Sequence, residues 1–567
     1  MVVAFALVLA VVAPLVGAVP LTGRQIPGLT TTTSVQGIPA FPAINTGLLC
    51  QLPMLKPICS RIASVSNKQV NTPIGTAQGV SDGSGVTRFA VRYASAARWS
   101  TSTIATKWEL PNGATNASAL PLACPQPNVD SSAYTEDCLS MVLYVPTTLK
   151  ANSGVPTLVW IHGGSFIAGS ATGPGLDGSK LAVATNSIVA VMQYRLGALG
   201  FMAPNGATNL AVKDTINALT FLGKVVPSFG GDAKKITLSG QSAGAGMIRA
   251  LLAAPSASSL FQSSIMQSDP INYGFLNVST QNSLQSTFNT LTGCTASNTA
   301  CQKSLSVAAI LNAQVVLSSK AQSIDPSTGV GEPIRPVRDG SLITTALDLT
   351  SGSSFPSQSK PLLLTNVKNE AGPTIFGMFT SSLPNTLTST VCDGSLGPDR
   401  TSIVSASPFY DFTVADIRTP LETLGSDYMW RCPTWSLARQ WTQHGGKAYV
   451  GQFVVGATYP SNNDVAFCVD GAICHEDDIY IVFGTTPSPT AAQTALTTEI
   501  QARYKAFLTT GAPNAPGLSP WPLATTSSVH PHQLGGAPTP SGEVPVGACD
   551  PAFWGQAVGY DYQVYGI

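Results

Sequence analysis

Lys235-Ile236-Thr237-Leu238-Ser239-Gly240-Gln241-Ser242-Ala243-Gly244, followed by a helix-compatible run over 247–254, is the stretch on which the reading of the fold turns. A short apolar strand, a Gly-x-Ser-x-Gly turn and a helix, in that order, form an elbow that lifts a serine to the edge of a sheet. The turn is so sharp that a side chain at either flanking glycine would strike neighbouring strands, and the serine is held in a strained conformation. Its hydroxyl then stands at a helix N-terminus, where developing negative charge is favoured. Ser242 is therefore the candidate nucleophile.

Working outward, the runs 157–161, 188–193, 236–238, 361–365 and 448–454 lack a polar face, as buried parallel strands do. Residues 208–224 and 494–507 carry helical spacing between some of them. This alternation predicts an α/β protein with a mostly parallel, twisted, doubly wound central sheet, helices on both faces and long loop insertions. Pro- and Ser-rich stretches at 352–360, 485–490 and 511–547 read as surface loops. Of the 567 residues 44% are hydrophobic and only 10% charged, and 29 basic residues balance 29 acidic ones. Such a chain can bury a large core but offers no electrostatic basis for binding nucleic acid or anionic membranes. The expected partner is a neutral or apolar small molecule.

Residues 2–13 form an uncharged apolar run, followed by Pro14 and the small-residue pattern Val16-Gly17-Ala18. Residues 1–18 read as a secretory signal peptide, which implies an extracellular protein. The competing reading is an uncleaved anchor, because apolar character continues almost to Leu21. No later segment is long and apolar enough to span a bilayer, so no stable membrane insertion is expected after cleavage. Eleven cysteines and the sequons at Asn116 and Asn277 agree with an oxidising, glycosylating route. Residues 19–69, rich in Pro, Thr, Ser and Gly, read as an extended N-terminal segment before a single domain over 70–567.

The run 157–161 ends in His162-Gly163-Gly164, where missing side chains let the backbone approach a ligand. Backbone N–H groups placed in this way stabilise transition-state charge by roughly 10² to 10³ in rate each. Gly163, Gly164 and Ala243, the residue after the nucleophile, are the expected oxyanion-hole donors.

Together these residues resemble the type-B carboxylesterase/lipase family of cholinesterase-like α/β-hydrolases, in the form of its secreted fungal carboxylesterases. The likeness runs from about residue 70 to 555 through Glu136-Asp137-Cys138-Leu139, Tyr194-Arg195-Leu196-Gly197, Gly200-Phe201, Phe229-Gly230-Gly231-Asp232 and Pro336-Val337-Arg338-Asp339-Gly340, all in family order. It implies the α/β-hydrolase fold and ester hydrolysis through an acyl-enzyme on Ser242, with no cofactor and no metal. Two features depart from the pattern. The segment before residue 70 lies outside it, and Gln241 stands where the family usually has glutamate, which removes a buried charge beside the nucleophile.

A serine hydroxyl needs an imidazole to take its proton and a carboxylate to orient that imidazole. The histidines are His162, His444, His475, His530 and His532. The chain order of α/β-hydrolases, serine then acid then histidine, excludes His162. His475, in Cys474-His475-Glu476-Asp477-Asp478 before Tyr480-Ile481-Val482-Phe483-Gly484, is similar to the family's histidine loop. His444 reads as a surface residue, and His530-Pro531-His532 as a solvated loop rather than a metal pair. Glu370 matches the family's triad glutamate, and Asp339 competes with it on spacing alone. Ser268 and Asp478 resemble positions that steady the histidine.

The resemblance pairs Cys124 with Cys138, Cys294 with Cys301, and Cys432 with Cys549. Proximity adds Cys50–Cys59 and Cys468–Cys474, the latter bracing the loop that carries His475, and leaves Cys392 over. In the family's lipases the segment between the first two cysteines is a long flap, and in cholinesterases it carries a choline-binding tryptophan. Here residues 125–137 are few and contain no tryptophan. A weak lid is therefore expected, with short to medium or moderately hydrophobic esters favoured over those of a lipase or sterol esterase. The rival from another class is a non-catalytic cholinesterase-like binding protein, and the joint presence of Ser242, Glu370 and His475 argues against it. A peptidase with the same triad fits the motifs around the elbow less well. Activity should fade below about pH 6.5 as the histidine protonates.

Overall fold

The runs without a polar face assemble at the centre of one eleven-stranded sheet. In chain order its strands are β1 (Ser66–Thr72), β2 (Gly75–Ser81), β3 (Val86–Arg92), β4 (Ser140–Pro146), β5 (Val155–Ile161) and β6 (Ile188–Met192). They continue with β7 (Gly231–Gln241), β8 (Ser263–Gln267), β9 (Leu362–Val367), β10 (Ala448–Phe453) and β11 (His532–Leu534). The computed structural model describes residues 66–81, 83–345, 355–537 and 539–567. The expected signal peptide, Cys50–Cys59 and nearly all of the N-terminal segment lie outside the described residues. The sheet itself begins at Ser66, slightly before the boundary expected at residue 70.

The spatial order is β1-β2-β3-β4-β6-β5-β7-β8-β9-β10-β11. From β6 to β11 every neighbour is parallel, whereas β1 to β4, and the contact of β4 with β6, are antiparallel. This is the α/β-hydrolase architecture that the sequence predicts. Parallel strands need crossovers, and helices α1 (Leu210–Val225), α2 (Ala243–Leu252), α3 (Thr388–Leu396), α4 (Arg418–Ser426), α5 (Cys432–Gln443) and α6 (Ala491–Thr510) lie among the connections. Two hydrophobic clusters fill the space between strands and helices, one rich in Trp435, Trp441 and Trp554, the other around Trp160 and Phe483.

Strand β8 escapes hydrophobic patterning because Ser263-Ser264-Ile265-Met266-Gln267 is mostly polar, yet every residue in it is buried. Two of its polar side chains find partners inside: Thr237 and Ser263 hydroxyls lie 2.8 Å apart, and Gln267 donates to Asp478 at 2.6 Å and accepts from Tyr504 at 3.1 Å, while the Ser264 hydroxyl is buried without one. The expected solvated loop around His530 and His532 needs correction. His532 lies in edge strand β11, buried and stacked on Trp521 with ring centroids 4.9 Å apart. Arg503 donates to its Nε2 at 3.0 Å, and burial together with that guanidinium pushes its pKa down to about 4. His530 Nδ1 instead faces Glu543 at 3.0 Å.

Helices α4 and α5 are one continuous rod interrupted at Asp427–Arg431 by a wide turn. Cys432 N–H donates to Asp427 O, five residues back, and Pro433 has no N–H for the next carbonyl, so the helical register opens there. Among the described residues four disulfides are formed, Cys124–Cys138, Cys294–Cys301, Cys432–Cys549 and Cys468–Cys474, and Cys392 is free and buried. Asn116 is exposed, whereas Asn277 is half-buried and caps a helix by accepting from Thr280 N–H at 2.8 Å.

Candidate active site

Ser242 leaves the end of β7 with φ 56° and ψ −129°, a conformation that costs free energy in any residue other than glycine and persists only where neighbours enforce it. Two neighbours do so. Ser242 N–H donates to Gln267 O of β8 at 2.9 Å, and Gly244 packs so tightly that a Cβ there would lie 2.1 Å from Ile161 O. The serine is 7% exposed and lines a cavity of about 620 Å³.

His162-Gly163-Gly164 follows β5 and passes directly beside the serine: a Cβ on Gly163 would come within 3.0 Å of Ser242 Cβ. Gly164 has φ +104°, where a side chain would meet Ala168 O at 2.5 Å, so the turn requires glycine. His162 is a support of this turn. It stacks on Tyr194 at 4.7 Å, and burial drives its pKa down to about 4 and keeps it neutral. Gln126, just after Cys124, holds Gly169 through bonds of 2.9 Å in both directions, so the first disulfide loop anchors the glycine turn. No acceptor among the described residues takes the N–H of Gly163, Gly164 or Ala243, and Ala243 opens α2, where the first amides have no partner within the helix.

The candidate acid and base meet. Glu370 follows β9 in a tight turn, with Oε1 accepting Val367 N–H at 2.9 Å and Oε2 lying 2.6 Å from His475 Nδ1. A backbone bridge joins Asn369 to Cys474, with Asn369 N–H donating to Ile473 O at 2.8 Å. Disulfide Cys468–Cys474 holds the same loop, and Asn462 donates to His475 O at 2.8 Å. Burial alone would lower the His475 pKa, but the hydrogen bond to Glu370 and the charges of Glu370, Glu476 and Asp478 outweigh it, and the pKa is raised. Asp339, the competitor for the acid, is engaged with other groups: it caps a turn through Ser341, Leu342 and Ile343 N–H and accepts from Thr208 and Asn209.

The link from base to nucleophile is different. Gln241 Nε2 stands 3.1 Å from His475 Nε2, and among the described residues no hydrogen bond joins the Ser242 hydroxyl to the imidazole. With Nδ1–H given to Glu370, the neutral ring presents its lone pair at Nε2, and the glutamine amide donates to it. Hydrogen bonds of catalytic groups are often loose without substrate and tighten around it. Gln241 thus touches the imidazole itself and does more than stand in for an absent charge.

The two residues expected to steady the histidine do not touch it. Ser268 has a buried hydroxyl with no hydrogen-bond partner, in a residue with φ 50° whose N–H is held by Thr365 O. Asp478 accepts from Gln267 and acts on the imidazole only through space, and burial pushes its carboxyl up to about 6. Sequence reasoning missed Trp430, whose ring lies 5.3 Å from that of His475. It sits in the wide turn between α4 and α5, and Cys432-Pro433 inside a helical stretch was the available signal. Residues 125–137 contribute nothing to the cavity wall. Among the described residues the one grouping of metal-ligand type is Asp427 with Cys432 and Cys549, whose sulfurs are bonded to each other.

The family model described as the carboxylesterase family matches residues 66–540. Para-nitrobenzyl esterase of Bacillus subtilis (strain 168) is 41% identical over 165 residues, 27% of this chain and 33% of that protein. The cAMP-regulated D2 protein of Dictyostelium discoideum is 31% identical over 313 residues, 53% of this chain and 55% of that protein. Carboxylesterase 3 of Pongo abelii is 26% identical over 472 residues, 73% and 76% of the two chains. The chain thus spans between 33% and 55% of the first two of these relatives. A solved PNB esterase overlays with a TM-score of 0.68 at 23% identity, over 83% of this chain and 96% of its own, which is a likeness of fold.

Proposed function

The chain belongs to the carboxylesterase family, and from that premise we propose that it hydrolyses carboxylic esters by a two-step acyl transfer through Ser242. The observation that carries this reading is the 2.6 Å contact of Glu370 with His475 Nδ1 in a cavity that also holds Ser242 on its strained elbow. His475 turns from the Gln241 amide to the Ser242 hydroxyl and accepts its proton as the oxygen attacks the ester. The free N–H groups of Gly163, Gly164 and Ala243 hold the oxyanion, and Glu370 stabilises the imidazolium. His475 then protonates the leaving alcohol, and water repeats the sequence on the acyl-enzyme.

Short to medium or moderately hydrophobic esters are the proposed substrates over those of a lipase or sterol esterase, because the short 125–137 loop takes no part in the cavity wall. The single domain over 70–567, secretion after removal of residues 1–18 and glycosylation at Asn116 and Asn277 belong to the same reading. An ester panel with acyl chains from two to about sixteen carbons, run on the wild type and on Ser242→Ala, tests it. Turnover of short esters that disappears in the alanine variant supports the proposal. Preference for the longest chains favours the lipase reading, and an inert wild type favours a binding protein. N-terminal sequencing of secreted protein, starting near Val19, tests the signal.

A further inference from the structure

The cavity that holds Ser242 has an uneven distribution of charge. Four carboxylates line it, Glu332, Glu370, Glu476 and Asp561, and no lysine or arginine does. Three are engaged: Glu370 with His475, Asp561 with Arg400 at 2.8 Å, and Glu476 with the Ser461 hydroxyl. Glu332 is not. It is 4% exposed, and among the described residues its carboxylate accepts no hydrogen bond and makes no ion pair. Such a group is costly to keep unless something satisfies it.

The charges facing Glu332 are Asp269, Arg249, Arg335 and His475, with the phenols of Tyr273 and Tyr194. Arg249 gives Nε and Nη2 to Asp269, at 2.9 and 3.2 Å, and Arg335 spends its terminal N–H groups on the carbonyls of Thr328, Glu332, Tyr273 and Ser327, which leaves Arg249 Nη1 and Arg335 Nε buried without a partner. Neither guanidinium reaches the Glu332 carboxylate. Burial, aided by Asp269, pushes the Glu332 pKa up to about 7, so near neutrality it is poised to ionise when a cation arrives. Trp430 and Phe379 also line the cavity, and aromatic faces attract cations.

From this arrangement we infer that Glu332 is a specificity-determining residue that binds a protonated amine on the substrate, so that the enzyme selects ammonium-bearing esters over their neutral isosteres. The inference rests on the ester-hydrolase reading and adds the substrate class. The ammonium donates to the unpartnered carboxylate, and no bond other than the ester is broken.

The experiment compares a dimethylaminobutyl ester of butyric acid with its isosteric neutral methylhexyl ester, and the ethyl ester of a dimethylaminopentanoic acid with its neutral counterpart. The readout is the ratio of kcat/KM, charged over neutral, in the full-length enzyme. Because both members of a pair meet the same free enzyme, titration of His475 cancels in the ratio. For at least one pair the wild-type ratio should rise about tenfold between about pH 5.5 and 8.5 as Glu332 ionises, with the amine protonated throughout. Glu332→Gln should lower that ratio about tenfold at the upper pH and flatten its pH dependence. The wild-type pH profile stands even if the variant fails to fold. Flat ratios for both pairs, or ratios unchanged in the variant while neutral esters are still turned over through Ser242, overturn the assignment of Glu332 alone. Neutral-ester turnover that persists in Ser242→Ala overturns the ester-hydrolase mechanism instead.

Discussion

Gln241, the residue before Ser242, places its amide 3.1 Å from His475 Nε2, the nitrogen that the proposed mechanism uses to take the serine proton. The amide oxygen, Oε1, is buried without a partner. A half-turn of the amide would therefore give the imidazolium an acceptor, so one side chain can serve both protonation states. Gln241→Glu would place a carboxylate there and favour the imidazolium. The acid limb of the kcat/KM profile should then move up by about one pH unit or more. A limb that stays in place would mean that residue 241 does not act on the base.

The pH profile of the wild type carries its own expectation. A base works only when neutral, and its pKa is raised above the ordinary 6.5 by Glu370 and the acidic groups around it. Activity should therefore fall as pH drops through a value above 6.5, higher than the sequence alone suggested. A kcat/KM limb centred below about pH 6 would contradict the geometry around Nδ1.

Glu370→Gln keeps the shape of the acid but allows the wrong tautomer at Nδ1. The expected loss in kcat is about 10³ to 10⁴, with the fold and melting temperature close to those of the wild type. A loss under tenfold would point to another carboxylate as the orienting group, and repeating the substitution at Asp478 would identify it.

Replacing both Cys468 and Cys474 by serine removes a short covalent loop beside the base. Stability should fall by about 2 kcal/mol, measured by denaturant unfolding. The loosened His475 backbone should cost about 10- to 100-fold in kcat with KM less affected. Full activity in that variant would show that the Asn369–Cys474 bridge and Asn462 suffice.

Ser268→Ala removes a buried hydroxyl that has no partner. The melting temperature should hold or rise, because nothing is lost and one desolvated group is gone. A drop in kcat/KM of tenfold or more would restore Ser268 to the role its position in sequence suggested.

The centre of the sheet was legible because parallel strands buried on both faces are rich in apolar residues and show no polar face, and β5, β6, β9 and β10 fit despite single polar residues such as Thr157 and Gln452. Strand β8 was not, since Ser263 and Gln267 are satisfied by partners distant in sequence, Thr237 for the one and Asp478 and Tyr504 for the other. Ser242 could be picked out from its own Gly-x-Ser-x-Gly turn, whereas Glu370 and His475 were singled out by the resemblance of their surroundings to family motifs. The contact of Gln241 with the imidazole and the approach of Trp430 depend on how separate loops meet, and spacing along the chain does not encode that. His532 shows the same limit: its partner Arg503 and its stacking on Trp521 turn an apparent surface loop into a sheet edge.

The bridge between Asn369 and Cys474 ties the turn of Glu370 to the loop of His475, while Ser242 belongs to the turn after β7 and reaches that pair only through the Gln241 amide. Mild destabilisation is then expected to shift Glu370 and His475 together relative to Ser242 before their own contact is lost. Heat or denaturant at low dose should abolish turnover while amide exchange at Asn369 and Ile473 stays slow, leaving a dyad that is intact and displaced from its serine.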